Sequence, residues 1–282
     1  YIFRRGSGED IIHDSDTIAE QKTAYQQKLD EYQAALDAGE NPERPVANFK
    51  AESNIIEFES GITLDHIRIE YNDNTDQLSI VLLNSETDED TNDRIIIDKW
   101  IAENPIEILR FTDGVSINIS GIESFITGTQ GDDRPLNGTS GRDFIHGLSG
   151  NDIINALGDN DFAIGGRDDD EVHGDDGDDY VLGSQGSDDL YGEAGNDTLL
   201  GGSGDDELFG GSGNDTMFGD SGNDTIVAGS GDDTVVFGRG DGKDTLHDAN
   251  TSGGDSGSDT IEFRRGLNIL DVRINKDGNN LQ

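Results

Sequence analysis

Apolar and polar positions alternate over short runs along most of this chain, and from residue 138 the alternation locks into a period of nine. Residues 138–236 divide into eleven consecutive nonapeptides, from GTSGRDFIH and GLSGNDIIN to GDSGNDTIV and AGSGDDTVV, without insertion or deletion. The eighth position is always apolar, from Ile145 through Val181 and Met217 to Val235, and the sixth is always Asp. The fourth is Gly in nine of the eleven units, with Asp159 and Asp168 as the exceptions. Phase-locked identity on this scale is the mark of a structural repeat. It predicts six residues of loop and three of strand per unit. Gly at positions one and four admits φ above zero and lets carbonyls turn inward without a Cβ in the way. Strand alternation sends position eight to one side and positions seven and nine to the other. Strands of three residues cannot stand alone, so the units must stack as a solenoid whose thin core is position eight.

Upstream the period is two. NIIEF, LDHIRIEY, QLSIVLL, RIIID, IEILRF and VSINI, between residues 54 and 119, predict short strands of a small antiparallel module with Trp100 as its largest core candidate. His66 stands alone on one of them and reads as structural. Before this module Thr17 and Glu20 have capping-box spacing, and Ile18, Tyr25, Leu29, Tyr32 and Leu36 form a stripe at helical spacing. Gly39, Pro42 and Pro45 end the segment, which predicts a helix of about twenty residues.

Two stretches occur twice. YIFRRGSGEDIIHD (1–14) matches VVFGRGDGKDTLHD (235–248), and IIEFESGITLDHIRI (55–69) matches TIEFRRGLNILDVRI (260–274). The expected organisation is therefore the end of a preceding unit at 1–14 and an inserted helix and linker at 15–53. A β module follows at 54–127, the repeat solenoid at 128–248, and the start of a further flanking module at 249–282. Residues 128–133 read as a degenerate capping turn. Such a chain is expected to be part of a larger parent with tandem units.

Charge narrows the function. The formal net charge is −42, and residues 138–236 carry 24 acidic side chains against Arg142 and Arg167 alone. That argues against nucleic acid as a partner and against anionic membrane surfaces. An apolar content of 31% at such charge would ordinarily mean disorder, so order must wait for something that cancels charge. There is no Cys and no apolar run long enough to span a bilayer as a helix. No HExxH or GxSxG pattern occurs, and no catalytic role is expected.

If two nonapeptides make one turn, loops n and n+2 lie side by side and their Asp carboxylates ladder at about 4.8 Å. Bare carboxylates at that spacing repel by about 0.9 kcal/mol per pair even at the dielectric of water. Hard divalent cations relieve this. Ca²⁺ accepts cages of six or more carboxylate and carbonyl oxygens, whereas Mg²⁺ demands a stricter octahedron.

The units resemble the RTX nonapeptide repeat, GGxGxDxUx, of Ca²⁺-binding β-solenoids. The resemblance implies a mostly β fold, a right-handed parallel β-roll solenoid with Ca²⁺ between turns. Beside it is expected a small antiparallel β module carrying one helical insertion. Carried over by position, one edge would hold Asp143, Asp161, Asp179, Asp197, Asp215 and Asp233. The other would hold Asp152, Asp170, Asp188, Asp206 and Asp224, continuing to Asp244 after a two-residue slip. Asp133 and Asp259 could add one site each. About ten Ca²⁺ ions would nearly balance the local charge. Asp159, Asp168 and Arg167 mark a weaker stretch around Asp161 and Asp170. Position nine of the odd units (His146, Ile164, Leu182, Leu200, Phe218, Val236) makes an apolar stripe expected to be partly covered. The family further implies a secreted bacterial protein, extracellular or at the cell surface, exported by type I secretion machinery, with a toxin or adhesin as parent. A structural extender or surface-layer segment, or an accessory domain of a secreted enzyme, are the alternatives.

Overall fold

The computed structural model describes residues 115–247 without a break, residues 258–264, and shorter segments elsewhere (2–3, 9–13, 47–48, 55–58, 62–72, 74–83, 90–98, 108–111, 276–277 and 280–281). The predicted helix at 17–36 and Trp100 lie outside the described residues, among which there is no α-helix and only one 3-10 turn, Leu64–His66. The chain divides into two compact units, Tyr1–Gly121 and Ile122–Gln282.

The first unit contains β1 (Ile2–Phe3), β2 (Glu9–His13), β3 (Ala47–Asn48), β4 (Ile55–Phe58), β5 (Ile67–Asn72), β6 (Gln77–Leu83), β7 (Asp90–Asp98), β8 (Ile108–Arg110) and β9 (Ser116–Asn118). Strong period-two patterning makes these strands, and it sets which side chains face inward: Ile67, Ile69, Leu78, Ile80, Ile95 and Ile97 are all buried. The expected small antiparallel module is present within two sheets, in the orders β3-β2-β7-β6-β5 and β1-β4-β8-β9, to which parallel pairs are added. Antiparallel pairing holds for the β5-β6-β7 meander and for β8 with β9, where short turns join neighbours. β1 and β4, β4 and β8, β2 and β7, and β2 and β3 pair parallel. Parallel partners cannot be joined by a tight turn, so these pairs are distant in sequence. His66 has the structural role expected of it: its Nδ1 lies 2.7 Å from Thr63 Oγ1 and accepts the Thr63 N–H across the 3-10 turn.

The second unit is a parallel β-solenoid of about seven turns. One face stacks Ser124–Thr127, Asp143–Ser149, Phe162–Arg167, Tyr180–Gln185, Thr198–Ser203, Thr216–Ser221, Thr234–Phe237 and Thr260–Phe263. The opposite face stacks Leu136–Asn137, Ile153–Asn155, Glu171–His173, Asp189–Ala194, Glu207–Ser212, Thr225–Ser230 and Thr245–His247. Each strand pairs with the strand two units on, as Thr198 with Thr216 and Leu199 with Met217, so two nonapeptides complete a turn. Seven of the fifteen strands are six residues long, twice the predicted length. They run from position seven through position three of the next unit, and the register skips only position one, as at Gly201.

Position eight forms the core. Ile145, Ile154, Ala163, Val172, Val181, Leu190, Leu199, Leu208, Met217, Ile226 and Val235 make one continuous buried column, joined by Ala156 and Ala228. Of the odd-unit stripe at position nine, His146, Ile164 and Val236 are buried while Leu182, Leu200 and Phe218 are half-buried.

Candidate metal centre: two ladders of buried aspartates

Each loop turns back on itself at two positions. Position two has φ between +61° and +123° in every unit but the first, where it is Thr139, and whatever its residue, as at Asp220, Glu193 and Gly166. Position four is also left-handed except at Gly141 and Gly222, and where Gly is replaced, Asp159 and Asp168 adopt φ +71° and +69° in its place. Asp tolerates this region better than most residues. The expectation that Gly at position one serves a positive φ is not met: no position-one Gly has one. Its reason is space. A Cβ on Gly174 would stand 2.7 Å from Asp179 Oδ2 and 3.0 Å from the Gly192 carbonyl oxygen. On Gly192 it would be 2.5 Å from both Asp197 Oδ2 and the Gly210 carbonyl oxygen. Position one is thus the floor of a small cradle where a carboxylate oxygen and a carbonyl from the next turn converge.

The position-six aspartates run along these cradles in two ladders. In the odd units the Asp143 N–H donates to Asp161 Oδ1, and the bond repeats from Asp161 to Asp179, Asp197, Asp215 and Asp233 at 2.7–2.9 Å. Asp233 then donates to Asp259 at 3.2 Å. In the even units the series begins at Asp133, which donates to Asp152 Oδ1 at 2.7 Å. It continues through Asp170, Asp188, Asp206 and Asp224 and ends on Asp244 at 3.1 Å. The chain separation of 20 residues at that last rung, with a bridge between Gly222 and Gly242, is the two-residue slip in GDGKD.

One oxygen of each carboxylate is therefore spoken for, and the other is not. Oδ2 of Asp152, Asp161, Asp170, Asp179, Asp188, Asp197, Asp206, Asp215 and Asp224 is buried without a hydrogen-bond partner. A free buried carboxylate oxygen is among the costliest groups a fold can hold. The ladder ends differ. Asp143 turns its carboxylate onto its own loop, accepting from the Thr139 backbone N–H and hydroxyl. Asp133 does likewise with the Thr129 N–H. Asp244 and Asp259 close the ladders through Oδ1.

The protonation equilibria report the same strain. Burial raises Asp170 to about 9 and Asp179 to about 8, and raises Asp161, Asp188, Asp215 and Asp224 to about 7. Asp152, Asp197 and Asp206 rise to about 6 from the same cause. The backbone N–H on Oδ1 opposes each shift without cancelling it, and neighbouring carboxylates of the same ladder add to several of them, Asp170 and Asp179 included.

This donor set fits a hard cation. No three His, Cys, Asp or Glu side chains converge among the described residues. The ligands on offer are one carboxylate oxygen per loop together with backbone carbonyls, all oxygen, which suits Ca²⁺. Ala156 and Ala228 take the place of the cradle Gly in the units of Asp161 and Asp233, where they set a methyl.

Two features escaped the sequence reading. A second, outer ladder runs along position five, where Asp178, Asn196, Asn214 and Asp232 donate their N–H groups to the Oδ1 of Asn160, Asp178, Asn196 and Asn214. The signal was present: in ten of the eleven units position five is Asn, Asp or Ser. On the even face His173, Tyr191 and Phe209, position nine of three successive even units, stack at 4.6 and 4.9 Å.

A family model for the RTX calcium-binding nonapeptide repeat matches residues 127–163, 137–172, 156–190, 182–217 and 209–246. No curated protein matches the chain.

Proposed function

Residues 127–246 belong to the RTX calcium-binding nonapeptide repeat family, and from that premise we propose that the solenoid is a calcium-triggered folding module of a secreted bacterial protein. The nine buried Asp Oδ2 atoms without a hydrogen-bond partner, from Asp152 to Asp224, carry this reading. They support about ten ions, five along each ladder. Bound Ca²⁺ would supply, between successive turns, the positive charge that the carboxylates lack. The chain's part is to present the oxygens: position-one Gly leaves the cradle open, left-handed positions two and four turn the loop, and the Oδ1 bond fixes each carboxylate. Asp133, Asp143, Asp244 and Asp259 terminate the ladders and serve as weaker, end-of-stack donors.

Without calcium the acidic solenoid repels itself and its core is one side chain deep, so the unfolded chain is favoured. Extracellular calcium modules have affinities of about 10⁻⁴–10⁻³ M. Such a module stays unfolded and competent for type I export inside the cell, then folds outside, where the parent acts as a toxin or adhesin. A structural extender stiffened by calcium is the second reading, favoured by the recurrence of the 1–14 and 55–69 sequences at the far end of the chain. An accessory role beside a secreted enzyme is a third; we assign no catalytic step to this chain. Among the described residues no helix is long and apolar enough to cross a membrane.

Circular dichroism of the metal-stripped chain titrated with CaCl₂ tests the proposal. Strand signal should appear cooperatively at millimolar or lower Ca²⁺ and not with the same concentration of Mg²⁺. A stripped chain already showing its full strand signal at pH 8 would overturn it.

A further inference from the structure

The two copies of the repeated flanking sequence meet different fates. β1 pairs with β4 through Ile2 with Glu57 and Phe3 with Phe58. At the far end Val236 pairs with Glu262 and Phe237 with Phe263. These are the same residues of the duplicated sequences in the same parallel register, so β4 and Thr260–Phe263 are one element used twice. In the first copy its outer edge is occupied. β8 adds in parallel, with Ile55 opposite Ile108 and Glu57 opposite Arg110. Arg110 makes a 2.8 Å ion pair with Glu57, and Phe58 stacks on Phe111 at 4.7 Å, nearly coplanar. Ile56 and Phe58 are 0% and 2% exposed. In the second copy Ile261 and Phe263, their equivalents, are 39% and 44% exposed, two of the three large apolar side chains left open among the described residues.

We propose that the outer edge of Thr260–Phe263 is a strand-docking site. Its occupant is a parallel strand of the Ile-Glu-Ile-Leu-Arg-Phe type, the counterpart of residues 106–111 in the flanking module that Thr260 opens. The arginine of that strand pairs with Glu262 and its aromatic residue stacks on Phe263. Main-chain bonding to an open edge gives affinity, and the ion pair and stack give register. By this reading the edge joins one roll to the module that follows it, and an undocked edge is a site for aggregation.

A labelled synthetic peptide of residues 104–119 provides the probe. It is titrated by fluorescence anisotropy against the full chain in CaCl₂, with circular dichroism on the same sample to show that the roll is folded; absence of that signal would fail the calcium reading and not this one. The peptide should bind saturably. Phe263→Ser should weaken it about tenfold or more. Glu262→Arg should weaken it too, and the peptide carrying Arg110→Glu should bind Glu262→Arg better than it binds the unmodified chain. No saturable binding to a folded roll, or binding indifferent to Phe263→Ser, overturns the proposal. So does a concentration-dependent dimer of the chain that Phe263→Ser abolishes, since the occupant would then be a second copy.

Discussion

The strands of the two units fill their interiors with opposite chemistry. In the β5-β6-β7 meander the inward residues are Ile67, Ile69, Leu78, Ile80, Ile95 and Ile97, and among the described residues the buried charged ones all lie in the other unit. In the solenoid every nonapeptide buries one apolar side chain at position eight and one carboxylate at position six, Asp143 to Asp233 being at most 3% exposed. The meander's core needs nothing from outside. The solenoid places a carboxylate oxygen without a hydrogen-bond partner beside most of its core residues, so its folded state is complete only when something neutralises those oxygens. Burying a charge is tolerated where it is paired or bound to metal.

The strongest way to break this contrast is to remove calcium and watch the units separately. Hydrogen exchange with mass spectrometry in a chelator at pH 8 should show solenoid amides such as those of Thr198, Thr216 and Thr225 losing protection by several orders of magnitude. Peptides covering residues 67–97 should keep most of theirs. Equal loss in both units would show that the meander depends on the roll; retained protection in the roll would show that the free oxygens are satisfied without metal.

Acid should partly replace calcium. The folded pKa values of the nine ladder aspartates from Asp152 to Asp224, about 6 to 9, lie above the ordinary carboxylate value of 3.8. The folded roll therefore holds protons that the unfolded chain has released, and its stability must fall as pH rises through that range. This contribution is complete below about pH 3.8 and gone above about pH 9. Metal-stripped protein should show more strand signal at pH 4.5 than at pH 8. Calcium affinity should move the other way, because the ligands must be deprotonated. A stripped roll whose strand signal rises from pH 4.5 to pH 8 would contradict the burial of these carboxylates.

The same opposition can be isolated at two residues. Asp188→Asn with Asp206→Asn keeps the Oδ1 bond and the shape while removing the buried charge. In calcium the midpoint of the titration should rise severalfold; without calcium at pH 8 the strand signal should increase, since a neutral amide costs less to bury than a carboxylate. Leu199→Ala should instead lower stability in both conditions, by about 2–5 kcal/mol.

Much of this was legible in the sequence because the repeat has no gaps: a constant Asp and a constant apolar position fix both the ladder spacing and the core. The slip at Asp244 could be read because GDGKD preserves the loop. Strand length could not, since positions one to three look like loop material and extend the strand only because position two adopts φ near +60° to +120°, a conformation Leu148 and Glu193 take as readily as Gly. The free Oδ2 atoms were also invisible, as they follow from which carboxylate oxygen the preceding turn bonds. In the first unit the period of two gave strands but not their partners. β4 with β8 is a pairing across an intervening meander, and nothing local in IIEF or IEILRF specifies it.

The smallest effects sit at the cradle floor, and they should carry opposite signs. Gly192→Ala places a Cβ 2.5 Å from Asp197 Oδ2 and from the Gly210 carbonyl oxygen, so one of them must give way. The calcium midpoint should rise by a few fold, with little change in the stripped chain. Ala156→Gly opens the corresponding space beside Asp161. It also frees the unfolded backbone, at a cost of about 0.5–1 kcal/mol to the fold, and it removes a fully buried methyl. In the stripped chain at low pH the variant should therefore be slightly less stable. In calcium that deficit should shrink or reverse, because the donor oxygens at Asp161 gain room. Equal losses in the two conditions, measured by urea titration, would mean that position one is Gly only for backbone reasons and that the cradle has no part in binding.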